Sequence, residues 1–195
     1  MTSTAAPRDI PDLVSTMKRA AAALRDAGIP FMLGGGLAAW ARGGPESDHD
    51  VDFFVQEKDA RRGLEALVEA GMRAEQPPEE WLLKAWDGDV LVDLVFHPSG
   101  GEIGPEHFAR ASEMEVLGQK LLVASIDDVL IAKLLALTEQ EPDFRVVLAL
   151  ARTLREQIDW PYVRERANHS PFARAFFTLV EGLEIVEPAD VATAA

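Results

Sequence analysis

The sequence contains no cysteine, which excludes disulfides and thiolate zinc sites alike. It also lacks any apolar run approaching the length of a membrane span. Residues 1–7 are small and polar, without the charged start and apolar core of a signal peptide, so a cytoplasmic protein with no membrane partner is expected. Basic side chains are scarce: 19 Lys and Arg stand against 33 Asp and Glu, a formal net charge of -14. That balance opposes non-specific attraction to nucleic acid or anionic membrane. It suits a cationic partner or substrate, or solubility alone. No internal repeat or low-complexity segment is evident. With 195 residues, 48% of them hydrophobic, the chain is long enough for one well-buried core and too short for two full enzyme domains.

What is present is concentrated in residues 31–55, FMLGGGLAAWARGGPESDHDVDFFV. Phe31, Met32 and Leu33 have the composition of a short strand, and Leu37 to Trp40 that of a short helix, with Gly34, Gly35 and Gly36 between them. A strand that enters a helix through glycines can present free backbone N–H groups to phosphate. Equally, glycines can serve a tight turn alone. Asp48, Asp50 and Asp52 then recur every second residue, so on a strand they share one face while Val51, Phe53 and Val55 share the other. Such a face is either solvated or bridged by a divalent cation, because Mg²⁺ favours oxygen ligands.

Residues 90–96, VLVDLVF, read as a strand buried on both faces with one carboxylate, Asp93, in its middle. An unpaired charge there costs several kcal/mol, so Asp93 requires a cation or a buried Arg or Lys. Asp87-Gly88 is a hairpin turn signal, which sets Asp93 on the second strand of a hairpin, with residues 81–86 as the first.

The remaining pattern is helical at both ends. Residues 9–28 form a helix with Leu13, Met17, Ala20, Ala21 and Leu24 inward, Met17 serving the core and Gly28 as cap. Residues 57–70 form another, with Leu64, Leu67 and Val68 inward; its Lys58, Arg61 and Arg62 read as a solvated face. Residues 76–80 form a loop. His97 ends the Asp93 strand and carries either an ordinary or a substrate-facing role, and His49 alternates to the face opposite the aspartates. A hairpin around Gly118 is followed by Ser125 as N-cap of a helix through Leu137, on which Lys133 interrupts an apolar stripe. Lys133 either snorkels or serves the site. Helical patterns over residues 143–157 and 171–183, joined by a Trp160-Pro161 turn, give a helical C-terminal layer. The expected fold class is α/β (α+β): a small mixed β-sheet with packed helices, a core over residues 1–124 and a helical part over residues 125–195, in one compact unit.

The order apolar strand, Gly-Gly, spacer, Asp-apolar-Asp and later an Asp within a third apolar strand resembles the nucleotidyltransferases of the DNA polymerase beta superfamily. Thirteen residues separate Gly36 from Asp50, a spacing similar to the family's. The small bacterial branch is the most similar, with its abortive-infection and MenT-like toxins of toxin–antitoxin pairs and, further off, the aminoglycoside nucleotidyltransferases. The resemblance implies that Asp50 and Asp52 ligate two Mg²⁺ ions, that Asp93 joins them and activates the attacking hydroxyl, and that Gly35 and Gly36 lie near the triphosphate. Ser47 and Lys133 correspond to positions that serve the nucleotide. Many relatives carry an Arg before the Asp pair, where this chain has Glu46, Ser47 and Asp48; Asp143 is the one counterpart of a later acidic pair.

The implied activity is Mg²⁺-dependent transfer of NMP from NTP to a hydroxyl acceptor. The acceptor is a tRNA 3′ end in a toxin-like role with an antitoxin partner, or a small molecule. The alternative is a catalytically inactive nucleotidyltransferase fold that acts as a binding partner in a toxin–antitoxin or regulatory pair.

Overall fold

The computed structural model describes residues 10–46 and 50–188. Its centre is a seven-stranded mixed sheet built from β1 (Phe31–Leu33), β2 (Asp50–Val55), β3 (Arg73–Glu75), β4 (Leu82–Asp87), β5 (Val90–Val95), β6 (Ser112–Val116) and β7 (Gln119–Val123). The strands lie in the order β3-β4-β5-β2-β1-β7-β6. β2 pairs in parallel with β5, and β1 with β7, while the other neighbours are antiparallel. The helices are α1 (Ile10–Asp26), α2 (Gly35–Ala41), α3 (Glu57–Glu69), α4 (Pro105–Arg110), α5 (Ile126–Leu135), α6 (Arg145–Thr153), α7 (Trp160–Ala167) and α8 (Pro171–Gly182). The α/β class expected from the pattern is therefore the observed one.

The period-2 alternation of β2 decides which face is which. Val51, Phe53 and Val55 are fully buried and face α1 and α3, whose Met17, Ala20, Ala21, Leu24 and Leu67 are equally inaccessible. Gly63 lets α3 sit close to the sheet, because a Cβ there would lie 3.2 Å from Leu94 and 3.3 Å from Leu24. The opposite face carries Asp50 and Asp52 and is roofed by α2 and α5. Around α5 pack α6, α7 and α8, so the C-terminal helices close the carboxylate face rather than the hydrophobic one.

Several local expectations meet their physical cause in the structure. Ser125 Oγ accepts the amide of Asp128 and caps α5. The hairpin around Gly118 turns through Leu117 and Gly118, both at positive φ (53° and 77°), as a type I′ turn requires. Other details differ. Val68 is 44% exposed and not inward, since the packed face of α3 runs through Ala60, Gly63 and Leu67. Trp160-Pro161 is not a turn but the start of α7, where proline suits the first helical positions and Asp159 caps the amide of Tyr162. The turn before β5 consists of Gly88 and Asp89, one residue later than Asp87-Gly88, because Asp87 stays in the ladder opposite Val90 and binds Thr16 and Arg19 through its carboxylate. Two short elements, β3 and α4, carry too little periodicity to be read from sequence. Asp48 and His49 lie outside the described residues. Among the described residues no helix is long and apolar enough to cross a membrane.

The buried role of Met17 is directly testable. Met17→Ala should destabilise the fold by about 2–5 kcal/mol, the usual cost of emptying a buried methionine-sized site. Urea denaturation measures it, and an unchanged midpoint would contradict this packing.

Candidate active site

Asp50, Asp52 and Asp93 converge at the sheet's centre. Parallel pairing of β2 with β5 sets Asp52 directly beside Asp93 and Asp50 beside Leu91, so register alone brings the three carboxylates to one face. One oxygen from each lies within 4.8 Å of the others. Asp93 is only 7% exposed, and its Oδ1 is buried without a hydrogen-bond partner. Such an orphaned acceptor among like charges fits a divalent cation, which offers hard oxygen ligands the positive partner they lack.

The glycine turn shapes this floor. Gly34 donates its amide to the Asp52 carbonyl at 2.8 Å, tying the turn to β2. Gly36 donates its backbone N–H to the Asp52 carboxylate. Gly35 has φ +51° and its absent Cβ would lie 1.6 Å from Asp52 Oδ2, so any side chain there would displace the carboxylate. Gly34 is restricted by the Phe54 ring, 2.6 Å from where its Cβ would stand. The observed service of these glycines is to seat Asp52; Gly36 also lines the cavity above it.

The cavity has a volume of about 620 Å³, within the range of about 300–1,000 Å³ typical of ligand sites. Its acidic floor meets Lys133 from α5, whose charge acts on Asp52 in opposition to the neighbouring carboxylates. The position of Lys133 is fixed by the start of α5. There Arg110 grips Asp128 through two bonds of 3.2 and 2.8 Å, and Arg42 donates to the carbonyls of Val123 and Ala124. Glu46 and Asp143 add acidity, while Arg145 is held by Asp143 through side-chain bonds of 2.6–3.0 Å, which keeps the Asp143 carboxyl down at about 2. Ser47 lies outside the described residues. His97 is exposed, and His107 instead accepts the Gly104 amide at 3.0 Å at the start of α4.

Residues not singled out in the sequence also belong here. Lys84 stands opposite Asp93 across the β4–β5 ladder, and Glu75 opposite Lys84, giving a charged row Glu75, Lys84, Asp93, Asp52 across four strands. Trp81, Val95, Val146, Ala149 and Leu150 line the walls. Burial, reinforced by Asp50 and Asp93, pushes the Asp52 carboxyl up to about 7, against Lys133 and the Gly36 amide. Burial also raises Asp93 to about 6; Lys84 opposes this, and Asp50, Glu79 and Glu75 add to it.

Comparison with known proteins points the same way. The profile of a family described as "Nucleotidyl transferase of unknown function (DUF2204)" matches residues 14–175. Among solved structures, the solution structure of the antibiotic-resistance factor ANT(2'')-Ia is similar with a TM-score of 0.61 and 19% identity, covering 88% of this chain and 96% of that one. An antigenic nucleotidyltransferase-like protein from Paracoccidioides brasiliensis gives a TM-score of 0.53 and 15% identity, covering 91% of each chain. At these identities the likeness is one of fold. No curated protein matches in sequence.

Raised carboxyls bind their protons more tightly in the folded chain than in the unfolded one. The contribution of Asp52 is therefore most favourable below about pH 4 and is lost as pH rises toward its folded value of about 7. Metal-free Asp52→Asn should consequently melt higher than the native sequence at pH 8, by about 3 °C or more, the shift that ~1 kcal/mol produces at this size. The difference should shrink toward pH 5. A variant no more stable than the native sequence at pH 8 would contradict the assigned repulsion.

Proposed function

The chain belongs to the nucleotidyltransferase family whose profile spans most of it, and on that premise we propose that it moves NMP from an NTP to the hydroxyl of a small, amine-bearing acceptor. The observation that carries this reading is the convergence of Asp50, Asp52 and Asp93 on one cavity floor. These three residues would hold divalent cations, Mg²⁺ being the expected species. When bound, such ions neutralise the triphosphate and the departing pyrophosphate.

The protein's own groups supply the rest. Lys133 and the glycine turn flank Asp52 and favour the triphosphate on that side of the floor. Asp93 lies on the β5 side, where it can take the proton of the incoming hydroxyl. The acceptor oxygen bonds to the α-phosphorus, the bond from that phosphorus to the β-phosphate oxygen breaks, and pyrophosphate leaves with its electron pair. Positioning of the two substrates supplies much of the acceleration.

The acidic lining of Glu46, Asp143 and the three aspartates supports a cationic small molecule and runs against an RNA acceptor with its own phosphates. The structural likeness to an antibiotic-resistance factor is compatible with a small-molecule acceptor. A tRNA end, and with it a toxin-like role, is the second reading.

Labelled transfer separates them. With Mg²⁺ and α-labelled NTPs, label should enter an amine-bearing small-molecule pool and not total RNA. Asp50→Asn and Asp52→Asn should each lower transfer roughly a hundredfold or more, the scale at which loss of one preorganised electrostatic group is felt. Undiminished transfer in either variant would overturn the mechanism.

A further inference from the structure

A second cavity, of about 570 Å³, lies under the loop that joins β3 to β4, outside the cleft formed by the carboxylate face and the C-terminal helices. Its walls come from Arg61 and Leu64 of α3, from the loop itself, and from Leu83 and Phe96. Trp81 divides it from the first cavity. The indole lines the first, while Glu79 and Glu80 just before it and Leu82 and Leu83 just after it line the second. We propose that this second cavity is a subsite for a distal ammonium group of the acceptor, which reaches it by crossing Trp81. The proposal rests on the nucleotidyl-transfer reading above and adds to it where the far part of the acceptor is held.

Volume is the first reason. The catalytic cavity, at about 620 Å³, has the size of a site for one ligand, yet the reaction brings two molecules to it. An acceptor whose hydroxyl stands at Asp93 must therefore continue elsewhere. Trp81 and Val95 line the cavity together with Asp93, and Glu79 and Glu75 of the second cavity lie near enough for their charges to act on Asp93. The way out on this side leads past Trp81.

The partition is built for contact with a ligand. Trp81 is 43% exposed, although its carbonyl is fixed by the amides of Phe96 and His97 at 3.2 and 3.1 Å. A rigid backbone thus presents an indole face to both openings, and among side chains that face attracts a cation best. Pro77 and Pro78 restrict the loop further.

Beyond the indole the chemistry favours an ammonium group. Glu79 Oε2 is buried without a hydrogen-bond partner, and a carboxylate oxygen so placed lacks a donor that only a ligand or water can supply. On these walls Glu75, Glu79 and Glu80 stand against one basic side chain, Arg61. Glu75 already accepts the Trp86 indole N–H at 2.6 Å, so Glu79 is the carboxylate with an unmet need.

Calorimetric titration of the full chain with spermine, a linear polyamine, tests the subsite, and Mg-NTP titrated into the same proteins tests the reading beneath it. Glu79→Gln should weaken spermine about tenfold, the scale of one hydrogen bond to a charged group. Trp81→Ala should weaken it about fivefold, as loss of a cation–π contact does. Glu165→Gln, at an exposed position on α7, should leave it within twofold, and all three variants should bind Mg-NTP like the native chain. In labelled transfer spermine should compete with the small-molecule acceptor pool and not with NTP. Unchanged spermine affinity in Glu79→Gln or Trp81→Ala would overturn the subsite, as would an equal loss in Glu165→Gln, which would reveal general attraction to an acidic protein. Spermine that binds without competing with the acceptor would overturn it as well, while Mg-NTP binding kept the nucleotidyl-transfer reading intact. A native chain that binds no Mg-NTP would remove that reading, and the subsite with it.

Discussion

Three carboxylate oxygens, one each from Asp50, Asp52 and Asp93, lie within 4.8 Å of one another, and most of the architecture around them serves to keep them there. At that separation two full charges repel by roughly 3 kcal/mol even at an effective dielectric of about 20. Against a total stability of about 5–15 kcal/mol for an ordinary domain, such a cluster cannot rest on flexible loops. Two adjacent parallel strands provide the rigidity, since the β2–β5 register fixes Asp52 beside Asp93 and lets neither retreat. The glycine turn closes the remaining escape by packing its bare backbone against Asp52. The unmet acceptor of Asp93 is the cost of this arrangement, and its chemistry fits a positive partner.

The helices follow from the same constraint. The α1 and α3 layer supplies the hydrophobic support on the far face of the sheet, so that the near face can stay polar. On the near face α5 is anchored at its start by Ser125, Arg42 and the Arg110–Asp128 pair, which delivers Lys133 to the carboxylates as the opposing charge. α6 then forms a wall whose apolar stripe is wider than its share of the core. The result is a cavity with an acidic floor whose walls combine apolar residues of α6 with the charged Glu46, Asp143 and Arg145.

Much of this was legible in the sequence because it depends on local periodicity. The alternation of Asp50 and Asp52 against Val51, Phe53 and Val55, the lone Asp93 in an apolar run, and Ser125 ahead of α5 each carry a pattern that one element can reveal. What was hidden depends on pairing. A turn placed at Asp87 and Gly88 would set Asp93 beside Leu82, whereas the observed turn at Gly88 and Asp89 sets it beside Lys84, so a one-residue error removes a charge from the site. Val146 was unreadable for a different reason: an apolar residue on an amphipathic helix looks like core until the tertiary packing shows which part of the stripe the core uses.

The central claim is that the three aspartates are gathered to hold divalent cations. The most direct measurement is electron paramagnetic resonance titration of Mn²⁺, as a stand-in for Mg²⁺, into the native chain and into Asp93→Asn, each with NTP present. The account predicts that the native chain depletes the free Mn²⁺ signal beyond what nucleotide alone does, and that Asp93→Asn weakens this at least tenfold while remaining folded. Equal depletion by both proteins, or none by the native chain, would contradict it.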